Sequence, residues 1–108
     1  MGLTSNIIIN YGIKPLLEIK SDTTINQVAS VVEVDATNQN IVITLGAIDN
    51  NTIKNFLMSI KRIDNTSNTV TINGTASNFE DEGYLLGADP QLETITVYAS
   101  NDNTWRVV

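Results

Sequence analysis

The sequence contains neither cysteine nor histidine. Their absence excludes disulfide bonds, thiolate and imidazole metal ligands, cysteine nucleophiles and the side chain that most often acts as a general base. Aromatic residues are few as well, and no spacing among the glutamates selects the pair of carboxylates that a glycosidase requires. We therefore expect no enzymatic activity and no cofactor.

Positive charge is also scarce, because six Lys and Arg stand against twelve Asp and Glu, and the net charge is -6 at pH 7. Nucleic-acid binding depends on basic side chains that neutralise phosphates, so we expect no DNA or RNA partner. Long apolar runs are missing too. Asn10 interrupts the run of isoleucines at residues 7–9, which is too short for a signal peptide, and no run approaches a membrane span. We expect no membrane insertion.

Short runs of β-branched residues, separated by Asn, Thr and Ser, make up most of the chain. Residues 56–72 contain two such runs joined by the polar loop 64–68, whose side chains favour turns. This pattern is typical of a β-hairpin. In the second run Val70 and Ile72 alternate with threonine, so we expect both of them to face a core.

The remaining runs extend the same pattern. Residues 30–35 and 41–45 predict two antiparallel strands, and residues 94–99 and 104–108 predict a closing hairpin in which Trp105 belongs to the core. The sequence therefore predicts an all-β domain over residues 21–108, built as a small antiparallel β-sandwich or a barrel-like module.

Residues 1–20 differ from the rest of the chain. One strand-like run at residues 6–11 is followed by Gly12, Pro15 and a pair of leucines. This segment is either an edge strand and linker of the same domain or an N-terminal arm that docks on a partner, since chain termini stay mobile unless they are tied down. The apolar side chains available for such an attachment are Ile7, Ile8, Ile9, Tyr11, Leu16 and Leu17.

Charge is concentrated at two places. The acidic run at residues 80–82 lacks the alternate ligand spacing of a calcium loop, so we expect a solvated loop, and metal binding is left open. Lys61 and Arg62 point to opposite faces of a strand and form no basic patch. We expect both to face water or a neighbouring subunit, with an ion pair to Asp64 or to a carboxylate of the next subunit.

The order of these segments resembles a β-module found in bacteriophage fibre and tail proteins. The matching pieces are residues 31–35 (VVEVD), 41–45 (IVITL), 60–64 (IKRID), 68–72 (NTVTI), 95–98 (ITVY) and 103–108 (NTWRVV). Gly46 stands where the family usually carries proline, and the acidic loop 79–86 replaces a more neutral sequence. The resemblance covers residues 21–108.

The resemblance implies a homotrimeric structural protein of a virion, assembled in the cytoplasm of the host bacterium. The sequence contains no fibre shaft. Among such virion proteins we therefore expect a capsid-decoration or head-fibre protein, whose residues 1–20 attach to the major capsid protein or another virion protein. The alternative is a tail-fibre or receptor-binding tip domain that adsorbs host surface glycans. The candidate ligand residues for that function are Phe79, Glu80, Asp81, Glu82 and Tyr84.

Overall fold

The computed structural model describes residues 14–108, which form β-strands and loops without a helix. The strands are β1 (Lys14–Ile19), β2 (Thr23–Ile25), β3 (Ala29–Val34), β4 (Ile41–Leu45), β5 (Met58–Arg62), β6 (Val70–Gly74), β7 (Tyr84–Leu85), β8 (Thr94–Ala99) and β9 (Trp105–Val107). They build a five-stranded sheet in the order β1-β3-β5-β8-β9 and a four-stranded sheet in the order β2-β4-β6-β7. The all-β prediction is confirmed.

From β1 to β6 the chain alternates between the two sheets. Each of the strands β1 to β4 pairs in parallel with the strand two positions further along. Val32, for example, lies beside Leu17 of the previous turn and Ile60 of the next. Ile43 lies in the same way between Thr23 and Ile72 in the other sheet. The backbone therefore winds as three turns of a flattened coil.

The predicted antiparallel arrangement is wrong for this part of the chain. β5 and β6, which contain the two runs of residues 56–72, lie in different sheets, and so do β3 and β4. Loop 63–69 crosses from one sheet to the other instead of turning back, and the strand in the opposite sheet serves as the crossover that parallel pairing requires. Both sheets end in edge strands, so they do not form a closed barrel.

The antiparallel strands come last and cover the third turn of the coil. β7 pairs with β6, and β8 pairs with β5. β9 pairs with β8, with Val97 opposite Val107 and Ala99 opposite Trp105, which confirms the predicted closing hairpin. At the other side of each sheet, β1 and β2 remain edge strands in the part of the chain that the structure describes.

The core fills the space between the two sheets. Val34, Ile43, Ile60 and Ile72 are fully buried there, and Val70 is 1% exposed, as the alternation in β6 predicts. Each such side chain contributes about 1.5–3 kcal/mol relative to an exposed position. The alternating pattern therefore identifies the core face of each strand correctly.

Gly46 follows β4 at a point where the backbone passes very close to the preceding turn. A Cβ atom built there would lie 2.5 Å from Asn26 Oδ1 and 2.9 Å from the carbonyl oxygen of Ile25. The Gly46 amide also donates a hydrogen bond of 2.9 Å to that carbonyl. Proline would introduce the clash and remove the donor, so glycine at this position follows from the geometry of the coil.

Candidate functional site

A polar groove opens where β3 and β5 end, because the carboxyl ends of parallel strands meet at one edge of the sheet. Its volume is about 860 Å³, within the range of roughly 300–1,000 Å³ typical of ligand sites. Loops 63–67 and 88–92 form its walls, and Asp35 and Thr37 complete it. It is larger than the neighbouring pocket of about 290 Å³ formed by loop 66–69 and residues 85–89.

Arg62, the last residue of β5, lies behind the groove wall formed by loop 63–67 and hydrogen-bonds to it. Its side chain points between the sheets and is 4% exposed. The guanidinium donates to both carboxylate oxygens of Asp64, at 3.2 and 3.1 Å. It also donates to the carbonyl oxygens of Leu86, Thr66 and Asn68. The buried guanidinium of Arg62 therefore connects loop 63–69 to Leu86, the residue that follows β7.

The carboxylate of Asp64 completes this network. It accepts hydrogen bonds from the Ala36 amide at 2.7 Å, from the Thr66 amide at 3.2 Å and from Thr66 Oγ1 at 2.6 Å. Burial by itself raises the pKa of Asp64, but the hydrogen bonds from Arg62, Thr66 and Ala36 outweigh it and hold that pKa well below its usual range. Asp64 is therefore an ionised structural group whose oxygens are already occupied.

The predicted ion pair between Arg62 and Asp64 is confirmed, but the expectation that Arg62 faces water or a neighbour is wrong. Strand alternation puts Arg62 on the same face as Met58 and Ile60, which are both fully buried. Lys61 is exposed, as expected. The Arg62 side chain can carry its charge between the sheets because its N–H groups donate hydrogen bonds to one carboxylate and to three carbonyl oxygens.

The side chains left to meet a ligand are the exposed polar ones. Among the described residues, the side chains of Asn65, Ser67, Asp89 and Gln91 line the groove without a hydrogen-bond partner. Asp35 accepts from the amide and hydroxyl of Thr37, and these bonds lower the pKa of Asp35. Because no Lys or Arg lines the groove, its free groups suit a neutral or cationic polar ligand.

The predicted ligand loop lies outside the groove, and two of its three acidic side chains are bonded to neighbouring parts of the fold. Glu80 pairs with Arg106 at 3.1 Å and accepts from the Val107 amide at 2.6 Å. Both oxygens of Glu82 lie within 3.0 Å of the Gly74 amide nitrogen. Asp81 is exposed and is free of such contacts within residues 14–108.

Two other candidate residues of this loop, Phe79 and Tyr84, support the fold. Phe79 is 3% exposed and forms a bridge with Trp105. Tyr84 belongs to β7 and packs against the core, and burial raises its pKa. None of the five candidate residues lines the groove, and ligand binding by this loop stays a prediction.

The candidate attachment residues fall into two groups. Ile7, Ile8, Ile9 and Tyr11 lie outside the described residues. The other two belong to β1, where Leu16 is 46% exposed and Leu17 packs partly against the core. Residues 14–19 of the proposed arm thus form an edge strand paired with β3, and the attachment to a partner stays a prediction.

Sequence reasoning recognised the polar loop 64–68 but missed the groove that this loop lines. The opposite wall, residues 88–92, lies more than twenty positions further along the chain, and neither segment carries a motif. Only the parallel pairing of β3 with β5 brings Asp35 and loop 63–67 together. The only signal in the sequence was a concentration of turn-forming residues at each wall.

Three further observations concern membrane spans, metal binding and similarity to known proteins. None of residues 14–108 belongs to a helix long and apolar enough to cross a membrane. Over the same residues, no group of three or more acidic side chains is placed to hold a metal ion. Comparison with known proteins found no family model, no curated protein and no solved structure that matches the chain.

Proposed function

We propose that this chain is a structural protein of a bacteriophage virion, a homotrimer that decorates the capsid or forms a short head fibre. The observation that supports this function best is that, within residues 14–108, no further strand pairs with the first turn of the coil. β1 and β2 are both edge strands within the described residues. Strands with unpaired backbone groups are templates for pairing with another chain, and repeat-like coils need a covered end.

The position of this first turn fits an attachment through the N-terminal segment. β1 begins three residues after the strand-like run of the sequence at residues 6–11 and presents Leu16 on its outer face. The opposite end of the coil is covered by β7, β8 and β9. In the proposed assembly the first turn therefore faces the shell of the particle, and the covered end points away from it.

The trimer is tested by sedimentation equilibrium of the full chain. We expect one species with three times the chain mass of 11.8 kDa. Large apolar side chains such as Leu85, at 63% exposed, then become buried against identical neighbours. A monomer that persists at micromolar concentration contradicts the trimer.

The position in the virion is tested by electron microscopy of particles from the phage that encodes the chain. We expect threefold density on the head surface. Density for the chain only at the tail tip contradicts the head assignment, and absence of the chain from purified particles contradicts the virion function altogether.

A second candidate function is adsorption to host surface glycans as a tail-fibre or receptor-binding tip domain. The polar groove favours it, because exposed amide, hydroxyl and carboxylate groups converge there without a basic residue. We expect Gln91→Ala combined with Asn65→Ala to weaken specific binding on a glycan array by about tenfold or more, since each removes a side chain that is free to bind a sugar hydroxyl.

The matched control for this experiment is Gln39→Ala, which removes an exposed glutamine outside the groove. It is expected to bind as the unmodified chain does. If the chain binds a glycan specifically and the groove variant binds as tightly as Gln39→Ala, then adsorption does not use the groove. If the unmodified chain binds no glycan, the second function is rejected.

A further inference from the structure

The outer face of the four-stranded sheet is free of charge. Its outward side chains follow the register in two rows, Val42-Thr71-Leu85 and Thr24-Thr44-Asn73. We call these six residues the neutral face. Val42 is 38% exposed and Leu85 is 63% exposed, with Thr71 between them. The face thus combines two exposed aliphatic side chains with short hydroxyl and amide groups.

The outer face of the five-stranded sheet is different. Glu18 lies beside Glu33, and Glu33 lies beside Lys61, in adjacent strands. Arg106 lies beside Tyr98 further across the sheet. Two neighbouring carboxylates repel each other, and burying this face against a partner would require the desolvation of several charges.

Two charged groups at the rim of the neutral face, Asp22 and Glu82, are hydrogen-bonded to backbone amides. Asp22 accepts a hydrogen bond of 2.8 Å from the Val42 amide. Glu82 accepts from the Gly74 amide at the end of β6. Asp22 therefore lies beside Val42 just before β2, and Glu82 lies at the end of β6. Neither carboxylate belongs to the two rows of side chains that form the face.

The net charge of -6 limits how copies of this chain can meet. Identical acidic surfaces repel each other, so self-association is least opposed at a patch that contains no carboxylate. Threonine and valine side chains on a strand are stiff and lose little conformational freedom when they are covered. The occupant that suits the neutral face is thus the same face of a second copy. Contact between two such faces buries no charged side chain without a partner.

We infer that the neutral face is the surface through which three copies of the chain meet around the threefold axis. This inference rests on the proposed homotrimer and assigns its interface. Val42, Thr71 and Leu85 then lie near the axis, and the charged face of the five-stranded sheet stays in water.

The test is sedimentation equilibrium of Val42→Glu and of Leu85→Glu. Either change places three carboxylates close together at the axis, so we expect the trimer to weaken by about a hundredfold or more. Val31→Glu is the matched control, because Val31 is 36% exposed on the opposite sheet, close to the 38% of Val42. We expect Val31→Glu to remain a trimer.

Two other results distinguish failure of the inference from failure of the proposed function. If Val31→Glu dissociates while both neutral-face variants stay trimeric, the trimer stands and the assigned face is wrong. If the unmodified chain is a monomer, the trimer itself is wrong. Circular dichroism of each variant separates dissociation from unfolding.

A cross-linking experiment tests the face without adding charge. The chain has no cysteine, so Thr71→Cys and Ser59→Cys each introduce a single thiol on the outer face of one sheet. With a short bifunctional maleimide we expect covalent dimers from Thr71→Cys and none from Ser59→Cys. The reverse result overturns the assignment even if the glutamate variants fail to fold.

Discussion

Replacing Asp64 with alanine is expected to lower the free energy of unfolding by about 3–5 kcal/mol, because removal of one partner leaves a buried charge uncompensated. Arg62 is only 4% exposed and has no other carboxylate among its hydrogen-bond partners in residues 14–108. The change also removes the acceptor for the Ala36 amide and for Thr66. Urea unfolding followed by the fluorescence of the single tryptophan measures the loss.

The matched control is Asp89→Ala, which removes the same side chain from the opposite wall of the same groove. Asp89 is exposed and, in the part of the chain that the structure describes, makes no ion pair. We expect its removal to change the free energy of unfolding by less than about 0.5 kcal/mol. An equal effect of the two substitutions would show that the buried network does not stabilise the fold.

The contribution of Asp64 to the free energy of unfolding is also expected to decrease as the pH falls. The pKa of Asp64 in the folded chain lies below its ordinary value of 3.8, so as the pH falls the unfolded chain binds a proton first. The stabilisation is therefore fully present above the unfolded pKa and is lost as the pH falls through the folded pKa. The difference in unfolding free energy between the unmodified chain and Asp64→Asn should be smaller at about pH 3 than at about pH 7.

Which side chains face the core could be predicted from the sequence, because this property is local to each strand. Apolar residues at every second position placed Val70, Ile72 and Trp105 in the core, where all three lie. The prediction that Arg62 faces water or a neighbouring subunit is wrong, because the side chain lies on the inward face with Met58 and Ile60. Burial of that side chain depends on acceptors from loop 63–69 and from Leu86, more than twenty positions away, which no local pattern reveals.

Strand pairing and the groove could not be predicted in the same way. A run such as residues 41–45 carries the same alternation whether its neighbour is antiparallel or parallel, and only the path of the connecting loop decides. Loop 63–69 crosses between the sheets, so β5 pairs with β3 and β8 instead of β6. The groove depends on that pairing, since its walls come from segments that are distant in sequence.

The second large effect is expected from Trp105→Ala, with a loss of about 3–5 kcal/mol in the free energy of unfolding, as for other aromatic side chains removed from a core. Trp105 is 1% exposed. Its Nε1 donates a hydrogen bond of 2.8 Å to the Gly46 carbonyl oxygen, and its amide donates one of 2.7 Å to Asn78. One side chain of β9 thus connects the last strand to the segment that follows β4 in the other sheet.

Trp105→Phe separates the packing of the ring from this hydrogen bond. Phenylalanine keeps most of the apolar volume and loses the donor, so we expect a loss of about 1–3 kcal/mol, the cost of leaving a buried polar group without its partner. The Gly46 carbonyl still accepts from Asn78 Nδ2 at 3.2 Å, which favours the lower end of that range. Because both variants lack the fluorophore, circular dichroism in urea is the appropriate measurement.

The control for both variants is Tyr98→Ala on the neighbouring strand β8, whose side chain lies on the outer face and is half-buried. It is expected to cost less than Trp105→Ala, because a partly solvated ring leaves no closed cavity when it is removed. An equal loss at the two positions would mean that the closing hairpin stabilises the fold only by covering β5, and that the indole contact to the other sheet adds nothing. A greater loss at Trp105 supports our interpretation that its indole group joins the two sheets across the end of the coil.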